Sequence, residues 1–106
     1  MCKNKVLVSK YNGYVAKCES CQKFQIAFGT TVFGMSQPEF EKFINHLYQL
    51  RKEGDNYDLY EKKIYVNLNA SNAMMVLTPY ELEDFIEIIE SASIKNIIHE
   101  VMLNQN

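Results

Sequence analysis

No run of apolar residues in this 106-residue chain approaches the roughly 18 that a membrane-spanning helix needs. The opening Met1-Cys2-Lys3-Asn4-Lys5-Val6 has neither the apolar stretch nor the small-residue cleavage site of a secretory signal. Together these absences predict a cytoplasmic protein with no membrane partner. Cysteine is scarce, and an odd total of three argues against a disulfide framework. Metal ligation, thiol redox chemistry and burial as small hydrophobes remain. Asn69-Ala70-Ser71 matches a glycosylation acceptor, a pattern without meaning in a chain that is not secreted. The phosphate-cradling G-x-x-x-x-G-K pattern is missing, so Gly29-Thr30-Thr31 reads as a turn. With no catalytic motif beside the thiols, the sequence favours a non-enzyme.

What is present is the composition of an ordinary globular protein, 47% apolar and 23% charged, enough for a single domain over residues 1–106. The net charge of −2 conceals opposed halves. Residues 1–52 carry eight Lys/Arg against three Glu, while residues 53–106 carry three Lys against ten Asp/Glu. Such polarity steers an anionic partner, lets two copies associate head to tail, or simply marks solvated faces.

The three cysteines fall within the first 21 residues, around an Asn12-Gly13 turn signal. Lys5–Ser9 and Tyr14–Cys18 read as the two strands of a hairpin, with Leu7 opposite Cys18 and Asn4 opposite Cys21. Residues 1–23 thus form a cysteine-bearing hairpin in which Cys2, Cys18 and Cys21 meet at the open end. A C-x-x-C turn curls two sulfurs toward one point, and Zn–S bonds are about 2.3 Å long. Zinc is the sharpest reading of this cluster. Three thiolates are one short of a closed tetrahedral site, and the glycine that often follows the second cysteine of such a turn is absent. His46, at the edge of an apolar helix stripe, is the candidate fourth ligand, whereas His99 points away from its helix's stripe. A redox C-x-x-C would sit at a helix N-terminus, but strand periodicity follows here.

Two further hairpins follow, each leading into a helix. Phe24-Gln25-Ile26-Ala27-Phe28 alternates, Gly29-Thr30-Thr31 turns, and Val32–Met35 returns. Ser36-Gln37-Pro38-Glu39 is a capping box that opens a helix over about 37–52, with Phe40, Phe43, Ile44, Leu47 and Leu50 on one face. Shifting the chain by about 42 residues lays Ile26 on Leu68, Met35 on Leu77, Ser36 on Thr78 and Phe43 on Phe85. The fold class is therefore α+β, an antiparallel sheet of β-hairpins with packed helices, with a duplicated ββα unit over 24–52 and 66–93. Ile94, Ile97, Ile98 and Val101 lie about 120° round from the preceding stripe, which predicts a break near Ser91-Ala92-Ser93 and a separate C-terminal helix within 94–106. That second stripe packs on the sheet or on a second copy, making a homodimer.

Tyr11 and Tyr14, with Lys10 and Lys17, form a basic-aromatic tip, but a cross-strand tyrosine pair explains it without a nucleic-acid partner. The carboxylates Glu83, Glu87 and Glu90 read as a solvated helix face. Met1-Cys2, Asn12-Gly13-Tyr14, Cys18-x-x-Cys21 and Phe24–Thr31, with Met75-Val76-Leu77 before Glu81-Leu82-Glu83, together resemble an uncharacterised family of short Bacteroidetes proteins. That resemblance implies a bacterial, intracellular protein and carries no activity. The expected function is a binding or regulatory module with a candidate structural zinc site. The alternatives are a small enzyme using an open metal or thiol site, and a metal-free homodimeric structural domain.

Overall fold

The computed structural model describes residues 3–68 and 73–103, so Cys2 and the glycosylation-like Asn69-Ala70-Ser71 lie outside the described residues. Strands β1 (Asn4–Lys10), β2 (Gly13–Cys18), β3 (Phe24–Phe28) and β4 (Thr31–Met35) form an antiparallel meander in the order β1-β2-β3-β4. Helix α1 (Gln37–Gly54) follows, then the hairpin β5 (Ile64–Asn67) and β6 (Met74–Leu77), and helix α2 (Pro79–Leu103). The architecture is α+β, a four-stranded and a two-stranded antiparallel sheet with two helices.

Alternation along β3 explains the core. Phe24, Ile26 and Phe28 share one face. Phe24 stacks on Phe40 of α1 with ring centroids 4.2 Å apart, and Phe28 meets Phe85 of α2 at 4.6 Å. Both helices therefore cover the same side of the sheet, and Phe43 bridges them through its edge contact with Phe85 at 5.8 Å. The two helices run antiparallel, since Arg51 pairs with Glu83 while Tyr48, one turn earlier, reaches Glu90.

The order strand, strand, capped helix occurs twice, as β3-β4-α1 and β5-β6-α2. Each helix opens on a capping box, Ser36 with Glu39 and Thr78 with Glu81. The hairpins are not in identical register, because β3 pairs Phe24 with Met35 whereas β5 pairs Ile64, not Val66, with Leu77.

The first hairpin differs from the sequence expectation. Lys10 pairs with Gly13, so the connecting residues are Tyr11 and Asn12, and Asn4 rather than Leu7 lies opposite Cys18. Tyr14 accordingly faces Ser9, and Tyr11 stands in solvent. Gly13 is needed for close approach, not for a left-handed turn: a Cβ there would collide with the carbonyl oxygen of Ala27 on β3. The register also shifts between Val6 and Val8, making Leu7 the extra residue of a bulge, and both Leu7 and Val8 are buried.

Helix α2 is continuous where a break was expected. Leu82, Phe85, Ile86, Ile89 and Ala92 form its inner face, and the next residue on that face is the buried Asn96. Helix continuity keeps one face inward throughout. Ile94, Ile97, Ile98 and Val101 therefore point away from the sheet and are exposed.

Candidate functional site

The end of the sheet where β2 stops gathers Lys17, Gln37, Asn96 and Glu100 in one hydrogen-bonded cluster. Lys17 stands on the same face as Phe24 and Ile26, since the register sets it opposite Phe24. Its side chain is only 5% exposed. The ammonium donates to Asn96 Oδ1 at 2.8 Å, Glu100 Oε1 at 3.2 Å and Gln37 Oε1 at 3.3 Å, and lies 5.3 Å from the Phe24 ring centroid. Three N–H donors meet three acceptors, which is the condition for burying a charge. Lysine thereby ties β2 to the first turn of α1 and to the last third of α2.

Beside this tie is a cleft of about 420 Å³ floored by Leu7 and Leu103 and rimmed by Lys5, Glu19, Gln22 and His99. The bulge at Leu7 turns that side chain into the cleft. Lys5 Nζ lies 2.9 Å from His99 Nδ1. An ammonium has no acceptor, so in this contact Lys5 donates and Nδ1 accepts. The Lys17 ammonium is fully engaged. Charge at the cleft surface therefore comes from Lys5, Glu19 and Glu100, of both signs.

The cysteine turn forms the adjoining wall. Cys18 N–H donates to Lys23 O at 2.8 Å, and Gln22 N–H donates to Cys18 O at 2.9 Å. Cys21 N–H points at Cys18 Sγ, 3.4 Å away, and Ser20 Oγ is 3.1 Å from the same sulfur. Cys18 is buried and Cys21 exposed. Gln22, occupying the place of the glycine that often follows such a turn, has φ of 65°, the left-handed conformation. A side chain there costs about 1–2 kcal/mol. Backbone and side-chain bonds hold it, the second being Gln22 Nε2 to Glu19 O at 2.9 Å. Lys3, next in sequence to Cys2, accepts from Glu19 N–H at 2.9 Å within this turn.

The structure thus brings Cys18 and Cys21 together. It places His46 elsewhere, on α1 beside β5, where Nε2 accepts from Asn67 N–H at 3.3 Å and the ring neighbours Phe43. Of the two histidines, His99 is the one that shares a cleft with Glu19 and Gln22 of the turn. Among the described residues, no group of three or more His, Cys, Asp or Glu is positioned to hold a metal.

Asn96 and Glu100 carry no role in the sequence expectations, and Lys17, expected at an exposed basic-aromatic tip, is instead buried among acceptors. The signal was Asn96: on an unbroken helix it continues the stripe of Phe85, Ile89 and Ala92, and a polar residue on a core face demands a buried partner.

These features define a small α+β protein in which a thiol-bearing turn follows directly on a strand anchored by a buried lysine. The chain belongs to a family of unknown function, DUF6686, whose profile matches residues 1–105. No curated protein and no solved structure matches it. Among the described residues, no helix is long and apolar enough to cross a membrane.

Proposed function

We propose that this protein is a small bacterial, cytoplasmic binding module, not an enzyme, and that its cysteine turn holds a structural zinc ion. The observation that carries the reading is the turn itself. A backbone N–H aimed at Cys18 Sγ is the environment a thiolate ligand requires, and Gln22 is held left-handed where a knuckle turn commonly has glycine. Strain retained in a short turn points to a role for its shape. Cys18 and Cys21 supply two thiolates in this reading and Cys2 the third; the fourth position lies between His46, the sequence candidate on α1 beside β5, and His99, which shares a cleft with Glu19 and Gln22 of the turn. The reduced thiols of a cytoplasm suit metal ligation. A binding role is supported by the adjoining cleft, whose buried lysine is occupied by protein acceptors and so is not a nucleophile in waiting.

Elemental analysis of untagged protein, combined with thiol titration, tests this. Close to one zinc per chain is expected, lost together with thermal stability in Cys18→Ser and Cys21→Ser. His46→Ala and His99→Ala decide the fourth position by which of them lowers metal content. Metal-free protein with three reactive thiols and an unchanged melt overturns the proposal.

A further inference from the structure

The outer face of α2 is divided. Its first half presents Glu83, Glu87 and Glu90; its second presents Ile94, Ile97, Ile98 and Val101, on the side opposite Ala92 and Asn96. With Met102, these aliphatic residues are 53–66% exposed. On one flank α1 closes against the helix through Tyr48 and Glu90; on the other β1 does so through Lys10 with Glu87 and Lys5 with His99. No segment among the described residues covers the stripe. It continues into a groove of about 420 Å³ beside Val6, Lys95 and Met102.

We propose that a second copy of this chain covers the stripe, the two α2 helices packing antiparallel about a two-fold axis near Ile97 and Ile98. This deepens the binding-module reading by naming its partner. The size of the patch favours a second copy. The patch is on the order of 500 Å² per chain, so self-association buries about 1,000 Å² in all, the lower bound of a specific interface. Charge then fixes the direction. Parallel helices would set Glu83, Glu87 and Glu90 against the same carboxylates of the partner. Antiparallel helices crossing near Ile97 and Ile98 instead carry the two acidic halves away from each other, past opposite ends of the shared stripe. An interface in which one patch meets itself closes after two copies.

Light scattering on the full chain from low micromolar to several hundred micromolar provides the test. The parent is expected at twice its 12.4 kDa chain mass at the upper end. Ile97→Asp, at an exposed position, is expected to keep the native circular dichroism spectrum and to weaken dimerisation by at least about tenfold. If that variant misfolds, Ile98→Lys on the same face takes its place. A parent that stays monomeric at every concentration, or a natively folded variant that stays dimeric, overturns the interface. Zinc is measured on the same samples. A monomer that retains zinc refutes the interface alone, and a dimer without zinc refutes the metal reading alone.

Discussion

Replacing Lys17 with Met removes the ammonium and keeps most of the side-chain volume. Gln37 and Glu100, which lie nearer the surface, regain water as partners. Asn96 does not, because it is buried at 5% exposure and Lys17 is the donor to its Oδ1. A buried carbonyl left unpaired costs about 1–3 kcal/mol, and losing a charge-assisted bond adds to it, so Lys17→Met should cost about 3 kcal/mol. That is a large share of the roughly 5–15 kcal/mol stability of a domain. At a urea slope of about 1.5 kcal/mol/M the midpoint should fall by about 2 M. The double variant Lys17→Met/Asn96→Leu removes the stranded group and should return to within about 1 kcal/mol of the parent. Urea titrations of the parent, both singles and the double form the cycle. A cost below about 1 kcal/mol for Lys17→Met, or a double variant no better than the single, would refute the claim that the buried amide sets the penalty.

Gln22→Gly should match or exceed the parent in stability, whereas Gln22→Val should lose about 1–2 kcal/mol, because only glycine adopts φ of 65° without strain. Thermal melts give the order, and glycine being the worse of the two would contradict it. Burial raises the Glu81 carboxyl pKa, but hydrogen bonds from Lys62 and from the Thr78 backbone outweigh it and hold the pKa below its ordinary value. A lowered folded pKa contributes stability above the ordinary carboxylate range and loses it as pH falls through the lowered value. Solvent screens this partly exposed carboxylate, so Glu81→Gln should be only slightly less stable than the parent at neutral pH, with the gap closing in acid; a gap independent of pH speaks against the cap.

The strands, both capped helix starts and the ββα order were legible because they rest on local rules: alternation in Phe24–Phe28 and the Ser36/Glu39 and Thr78/Glu81 boxes. The hairpin register was not, because Gly13 answers to a neighbouring strand's carbonyl rather than to its own turn. A non-local contact leaves no mark in the adjacent residues. The continuous α2 was missed for a related reason. Ile94, Ile97 and Ile98 read as a core stripe, and the face that is buried carries Ala92 and Asn96 instead. The thiol turn was visible as a spacing, while the lysine that backs it was not, since its three acceptors come from both helices.

Lys17 and Cys18 are consecutive on β2 and so point to opposite faces of the sheet. A slip of β2 by one residue would exchange them, expelling the ammonium from among Asn96, Glu100 and Gln37 and carrying the thiol under the helices. The lysine thus works as an index pin for the strand. Val15 and Ala16 of β2 would tolerate several alignments; an ammonium with one matching set of acceptors tolerates one. Through that pin, the positions of both sulfurs in the turn are set by α2, a helix far away in the chain.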